Sequence, residues 1–409
     1  MNQNLKQHIN NINKGIVPKG WKKTKLGIIP DEWNINLISE IGKVYSGGTP
    51  DTTKSEYWNG TYDWCTPTDI TALKGSKYLT RTDRKISEMG LKKSSANLLP
   101  INSLIVCTRA TIGDCAINTI PMSTNQGFKN IVPNSDKSIL EYLYYFVVAS
   151  KQKLKRLGNG STFLEISKRD FDKIKIPLPP LPEQQKIATI LSTWDKAVEL
   201  KAQLIEQKQE KKKGLMQNLL TGKIRVKGFS EEWKLVKLGN TCDIKKGIQL
   251  NKTDLTNDGK YPSYSGGISA SGYTNEWNTE KDTVIISEGG NSCGYVNYIK
   301  KRFWSGGHCY ALLNIKDSIE KIFLYQTLKF SEIQIMRLRV GSGLPNVQKK
   351  DITNFKLFIP SIKEQKAIAK ILTSSDKEIE LLKQELESLK EQKKGLMQLL
   401  LTGKVRVEV

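Results

Sequence analysis

The sequence predicts an α+β protein in which two mixed α/β globules are separated by two long, repeated helices. The helices should pair as an antiparallel coiled coil with internal pseudo-twofold symmetry. Two observations carry this. Residues 183–226 and 364–407 align without a gap at an offset of 181 residues. Within each copy the apolar residues recur at the ~3.5-residue spacing of a coiled-coil seam.

The repeat is dense enough to anchor the whole organisation. Glu183/Glu364, Gln184/Gln365, Ile187/Ile368, Asp195/Asp376 and Gln203/Gln384 are shared, and both copies end in a Gly-Leu-Met-Gln run closed by Leu-Thr-Gly-Lys. A weaker echo links Trp33 with Trp233, and Gly160-Ser161 with Gly341-Ser342. A period this long is a duplication rather than a solenoid. Prolines 177, 179, 180 and 182 precede the first helix and Pro360 the second, where a fixed φ suits a first turn. Thr221-Gly222 and Thr402-Gly403 are helix stops. The Pro-Leu-Pro-Pro-Leu-Pro run also reads as a polyproline ligand, but a helix start explains it with less. Homodimerisation is the alternative use of such a seam. Glu183, Glu206 and Glu391 are expected on solvated helix faces. Leu200, Leu204, Met216 and Leu220 lie off the first seam, and Leu381, Met397 and Leu401 off the second. A second apolar stripe predicts partner-docking surfaces.

The domains follow from the repeat. Residues 1–25 are a basic segment expected to pack with the helical region. Residues 26–176 form the first globule, 177–226 the first helical region, 227–357 the second globule and 358–409 the second helical region. Leu104-Ile105-Val106-Cys107 and Thr283-Val284-Ile285-Ile286 read as buried strands, and 139–149 and 319–330 as helices. Loops between them are rich in Gly, Ser, Thr, Tyr and Trp.

Composition narrows the function. Of 409 residues, 64 are Lys or Arg and 41 Asp or Glu, a net charge of +23. The excess is spread over every segment, +5 on the first globule and +6 on the second. Folded basic surfaces point to a polyanion, most often nucleic acid. Six scattered cysteines without a Cys-x-x-Cys pair, and two histidines, argue against a zinc site and for reduced thiols of a cytoplasmic protein. No apolar run reaches the ~20 residues of a membrane span, and residues 1–20 lack a signal-peptide core. No phosphate-binding Gly-rich loop, methyltransferase tetrapeptide or nuclease acid constellation is present, so no catalytic residue is assigned.

The loops supply candidate DNA-binding residues, because small polar side chains beside cations suit base edges and phosphates. In the first globule these are Ser46, Gly47, Thr49, Tyr57, Thr66, Lys92, Lys93, Arg109 and Thr111. In the second they are Lys245, Lys246, Gln249, Tyr264, Ser265, Arg302 and His308. Lys92, Lys93 and Lys245 are assigned to phosphates and Arg109, just after a strand, to a base.

With these motifs assembled, the chain resembles the specificity subunit of a type I restriction–modification enzyme. The resemblance rests on Lys19-Gly20-Trp21-Lys22-Lys23-Thr24 with Ile29-Pro30-Asp31-Glu32-Trp33, on Ser46-Gly47-Gly48-Thr49-Pro50 followed by Tyr57-Trp58-Asn59-Gly60 and Trp64, and on Pro179-Pro180-Leu181-Pro182-Glu183-Gln184 opening a helix that ends in Gly214-Leu215-Met216-Gln217. It implies two target-recognition globules, each reading half of a split double-stranded DNA target, on helices that set the spacing. It implies two methyltransferase subunits docked on the helices, with motor–nuclease subunits added. S-adenosylmethionine, ATP and Mg²⁺ would then belong to those partners, and the chain itself would have no catalysis. A non-catalytic coiled-coil DNA-binding scaffold, or the specificity subunit of a related type II-like restriction–methylation enzyme, is the alternative. The second globule departs from the pattern, with Lys246-Gly247-Ile248-Gln249-Leu250 where the first has Ser46-Gly47-Gly48-Thr49-Pro50. The two globules should therefore read different sequences.

Overall fold

The computed structural model describes residues 3–158, 164–341, 343 and 345–409; Gly160, Ser161 and Ser342 of the predicted echo lie outside them. The long helices span Leu181–Leu219 and Ile362–Leu401. The chain divides into two compact units: residues 1–200 with 386–409, and residues 201–385. Each unit thus holds one globule with part of both long helices.

In the first unit a five-stranded sheet runs Gly42–Ser46, Phe128–Pro133, Leu104–Cys107, Cys115–Asn118 and Tyr78–Leu79. Leu104–Cys107 is buried throughout, as its unbroken apolar run requires of a central strand. A three-stranded sheet places Trp58–Cys65 between Met122–Thr124, parallel, and Arg84–Ile86, antiparallel. Helix Leu140–Ala149 covers the larger sheet with Tyr142, Leu143 and Tyr145.

The second unit repeats this frame in fewer strands. Its four-stranded sheet runs Asp243–Lys246, Cys309–Leu313, Thr283–Ser287 and Val296–Ile299, with the same order and directions as the first four above. Its three-stranded sheet places Tyr261–Tyr264 between Trp304–Ser305, parallel, and Gly272–Thr274, antiparallel. Helix Lys321–Phe330 stands where Leu140–Ala149 does.

The repeated helix residues fasten each globule to helix. Buried Glu183 accepts from the Trp33 indole at 3.0 Å and from both ends of the Arg406 guanidinium, at 3.2 and 2.8 Å. In the second unit Glu364 accepts from Trp233 at 3.2 Å and from Arg225 at 2.8 and 2.7 Å. Glu183 is therefore not on a solvated face as the sequence suggested; burial is tolerated because a bidentate guanidinium compensates the carboxylate. Gln184 accepts from the Ile139 amide and donates to the Lys137 and Pro179 carbonyls. Gln365 does the same with Glu320, Ser318 and Pro360.

The helix segments pair antiparallel within each unit. In the second unit Lys201 meets Glu385 at 2.7 Å, Lys208 meets Glu378, and Lys212 meets Asp376 at 2.6 Å. In the first, Lys393 meets Asp195, the 181-residue equivalent of Lys212 with Asp376. Four lysines thus tie the paired helix segments together by charge. Further along, Ile187, Leu191 and Leu400 join the first core, and Leu219, Ile368 and Leu372 the second.

Within the first unit the N-terminal segment packs on the end of the second helix. The Trp21 indole donates to the Gly403 carbonyl at 2.8 Å, and Lys404 donates to Asn13 at 2.7 Å.

Candidate nucleic-acid interface

Corresponding hydrogen bonds build a loop platform in each unit. In the first, the Gly47 amide donates to the Phe128 carbonyl at 3.2 Å and Gly48 to Thr124 at 2.8 Å. In the second, Gly247 donates to Cys309 and Ile248 to Ser305, both at 2.9 Å. A glycine is needed at the first position. A Cβ at Gly47 would run into the Asn125 carbonyl, and one at Gly247 into those of Ser305 and Gly306. An indole then fixes each loop: Trp64 donates to the Gly48 carbonyl at 2.9 Å and Trp304 to Ile248 at 2.8 Å. The two loops that looked unrelated in sequence occupy the same frame.

Beside this platform lies the turn after the central strand. Thr108 donates to Gly127 at 2.8 Å and accepts from Ile166 at 3.0 Å, while Glu288 donates to His308 at 2.9 Å and accepts from Val347 at 2.8 Å. The first turn carries Arg109, paired through its backbone with Glu165, and half-buried Thr111, whose carbonyl accepts from Asp114 at 3.0 Å. The second carries Glu288, Gly289 and Gly290.

The first platform gathers Ser46, Gly47, Thr49 and Gln126. Thr49 hydrogen-bonds to Gln126, and Asn97 donates to the Ser46 carbonyl at 3.0 Å. Two of the expected contacts are instead structural. Tyr57 is buried, with Lys54 over its ring. Thr66 caps helix Pro67–Ala72, both its amide and hydroxyl donating to Asp69, at 2.7 and 2.6 Å. Their polar groups are already committed. Lys92 is exposed and paired with Glu88 at 2.5 Å; Lys93 is exposed beside it.

In the second unit Lys245 and Gln249 are exposed, the latter donating to the Leu250 carbonyl. A cleft of about 440 Å³ is lined by Lys246, Ser265, Glu288, His308 and Asn346. Glu288 accepts from Lys246 at 2.6 Å and from the Tyr310 hydroxyl at 2.8 Å, and His308 Nδ1 lies 3.5 Å from its other oxygen. Burial alone would raise the Glu288 carboxyl, but these hydrogen bonds outweigh it and hold it below its ordinary range. Tyr264 is half-buried, edge-on to Phe303. Arg302 lies over Trp277 at 4.4 Å and pairs with Glu280 at 3.1 Å.

Sequence reasoning missed Gln126 and Glu288, and with them Arg84, whose guanidinium lies 4.0 Å from the ring centre of Trp58 beside the first platform. Gln126 follows Asn125 in a polar turn and could have been found there. The other two owe their positions to strand pairings and turns that no local pattern reveals.

Most of the expected docking stripe is covered by the chain's own globules. Leu220, Met397 and Leu401 are buried in the cores of their own units, and Met216 packs against the second core. They close the space between helix and globule. Leu200 and Leu381 are exposed and Leu204 is half-buried. Among the described residues no three His, Cys, Asp or Glu side chains gather as metal ligands, and no helix is long and apolar enough to cross a membrane.

The family model for the type I restriction modification DNA specificity domain matches residues 30–208 and again 230–391. The type I restriction enzyme MjaIX specificity subunit of Methanocaldococcus jannaschii is 28% identical over 95% of this chain and 97% of its own. The S subunit of a type I restriction–modification system from M. genitalium superposes with a TM-score of 0.60 at 21% identity, over 92% of this chain and 96% of that one. The HsdS subunit from Thermoanaerobacter tengcongensis gives 0.51 at 19%, over 92% and 98%; both likenesses show the fold. Two matched domains, one on each loop platform, carry the conclusion: the chain belongs to the type I restriction–modification DNA specificity family, as a non-catalytic specificity subunit.

Proposed function

We propose that each unit reads one half of a bipartite double-stranded DNA target, the first through the platform around Ser46, Gly47, Thr49 and Arg109, the second through that around Lys246, Gln249, Ser265 and His308. The single observation behind this is the shared platform carrying different side chains. A conserved backbone frame with exchanged loop chemistry is what two readers of different sequences need. Domain exchange tests it. Replacing residues 26–176 by those of a relative should change one half of the methylated motif, mapped genome-wide, and leave the other half intact. A change in both halves refutes separate readers.

The long helices set the unspecified spacer and dock two methyltransferase subunits, with motor–nuclease subunits joining the assembly in the cytoplasm. S-adenosylmethionine, ATP and Mg²⁺ are used by those partners. Exposed Leu200 and Leu381, with Leu204, remain as helix positions for docking. The mass of the assembled complex tests the stoichiometry: one copy of this chain with two methyltransferase copies is expected. Leu200→Glu with Leu381→Glu should reduce that binding.

A further inference from the structure

The first unit holds a cation that its own fold leaves uncompensated. Arg84 opens the edge strand Arg84–Ile86 of the three-stranded sheet. Its guanidinium lies 4.0 Å from the ring centre of Trp58 and 4.8 Å from that of Trp64. The two indoles meet edge to face, with centroids 5.0 Å apart. Trp58 is itself tied down, its indole donating to the Asp51 carbonyl at 3.1 Å. Arg84 is exposed, and no carboxylate among the described residues pairs with its side chain.

The second unit shows what a compensated version looks like. Arg302 stacks on Trp277 in the same manner, but Glu280 takes its guanidinium. Stacking alone can be explained as an arginine stem covering apolar surface. Stacking without an acid, next to the loop platform, asks for an external partner. The platform is directly adjacent, because the Trp64 ring under Arg84 is the one whose N–H holds the Gly48 carbonyl. Two rings restrict the guanidinium plane before any ligand arrives, so little side-chain freedom remains to be lost on binding. A planar fork held in place matches a pair of acceptors on a flat edge, and guanine O6 and N7 in the major groove form such a pair.

We propose that Arg84 reads a guanine in the half-site recognised by the first unit, held ready by Trp58 and Trp64. This rests on the reading that the first unit meets duplex DNA. A phosphate is the competing bidentate acceptor, and the experiment separates the two. The full-length chain, wild type or with Arg84→Lys or Arg84→Met, is used to select from duplexes with a randomised central segment. Bound duplexes are sequenced, and affinity is measured at one salt concentration on the wild-type motif and on its variants. Wild type should enrich a bipartite motif with a G·C pair in one half. Both substitutions should lower affinity for that motif on the order of ten- to a hundredfold and lose preference at that base pair. The other half should persist, showing that the protein is folded.

Arg84→Lys keeps the charge and loses the fork, so it is the deciding variant. If Lys restores affinity and the motif is unchanged, the contact is to phosphate and the proposal falls. It falls equally if neither variant alters affinity or motif. A wild-type chain that enriches no motif would instead overturn the underlying reading of DNA recognition. Arg84→Met retains an unbranched apolar stem over the indoles. Should it lose both halves through misfolding, the Lys variant alone decides.

Discussion

The two units keep the same buried fastenings and exchange almost everything they expose. Glu183 with Trp33 and Arg406 reappears as Glu364 with Trp233 and Arg225. Gly47 and Gly247 make corresponding amide contacts. Around that constant frame the first unit shows Arg109 and an arginine stacked without an acid, while the second shows Glu288 and an arginine neutralised by Glu280. Duplication has therefore preserved what positions the loops and released what the loops present. A reader of two unlike half-sites needs both properties.

The largest test of this comparison strikes the fastenings. Removing Arg406 leaves the buried Glu183 carboxylate without its charge partner, and removing Arg225 does the same to Glu364. Breaking such a pair typically costs about 3–5 kcal/mol. Arg406→Ala should lower the stability of the first unit, and Arg225→Ala that of the second, by amounts at the low end of that range because both arginines are partly solvated. Thiols report which unit opens. Cys65, Cys107 and Cys115 are buried in the first, and Cys242, Cys293 and Cys309 in the second. Burial pushes Cys107 and Cys309 up to about 12, so they stay protonated and unreactive at neutral pH while folded. In mild denaturant, alkylation counted by mass should reach three thiols first, in the unit that lost its arginine. Loss of protection at all six together would show one cooperative body in place of two.

The next effect concerns the platform glycines. Gly47→Ala and Gly247→Ala place a methyl against a backbone carbonyl, which cannot move aside as a side chain can. Overpacking of this kind typically costs about 1–3 kcal/mol. Each substitution should distort one loop and blur one half of the selected DNA motif. If Gly247→Ala blurred the half lost on exchanging residues 26–176, the correspondence between the platforms would be wrong.

How much of this was legible beforehand depends on the range of the interaction. The helices, their seam and the duplication are written in local periodicity and self-similarity, so sequence reaches them. The buried strands Leu104–Cys107 and Thr283–Ser287 are apolar or β-branched runs and are equally plain. The burial of Glu183 is hidden in the sequence because its partners lie 150 and 223 residues away, and a glutamate on a long helix is by default solvated. Met397 and Leu401 look like a free stripe in sequence because helical phase cannot say which of two faces a globule covers. Tyr57 and Thr66 have the right chemistry for DNA but spend it on packing and on a helix cap. Arg84 was invisible because its stacking depends on antiparallel pairing with a strand about twenty residues earlier.

A smaller effect distinguishes Glu288 from its counterpart Thr108. Glu288 holds Lys246, Tyr310 and, when protonated, His308. Its carboxyl is held below the usual range, so the stability it adds is fully present above the ordinary glutamate value and is lost as pH falls through its lowered one. Glu288→Gln should therefore cost stability at pH 7, about 1–2 kcal/mol for charge-assisted hydrogen bonds at a partly exposed site. The difference between variant and wild type should shrink as pH falls below the ordinary glutamate value of about 4.3 and vanish only below the lowered one, where both groups are neutral. A difference that stays constant from pH 7 to pH 3 would show that Glu288 acts through shape and not charge. Thr108→Val in the first unit should give no such pH dependence.

The smallest expected effect lies on the first unit's neighbouring lysines. Lys92 and Lys93 sit side by side and both are exposed, yet Lys92 is held by Glu88 and Lys93 has no such partner among the described residues. A phosphate contact by Lys93 releases a condensed counterion. Lys93→Ala should therefore lower the slope of log affinity against log salt by about 0.9 on cognate and random duplexes alike. Lys92 must first be shared with or drawn from Glu88, whose carboxyl the lysine keeps below its usual value through a direct hydrogen bond and charge attraction. Its removal should change the slope less. Glu88→Gln then becomes the sharper test: it frees Lys92 without removing it, and should raise affinity at low salt while steepening the slope. If Glu88→Gln does neither, and Lys92→Ala and Lys93→Ala are silent as well, this edge of the first globule does not meet the DNA backbone. The contact surface would then be confined to the platform around Thr49, Gln126 and Arg109.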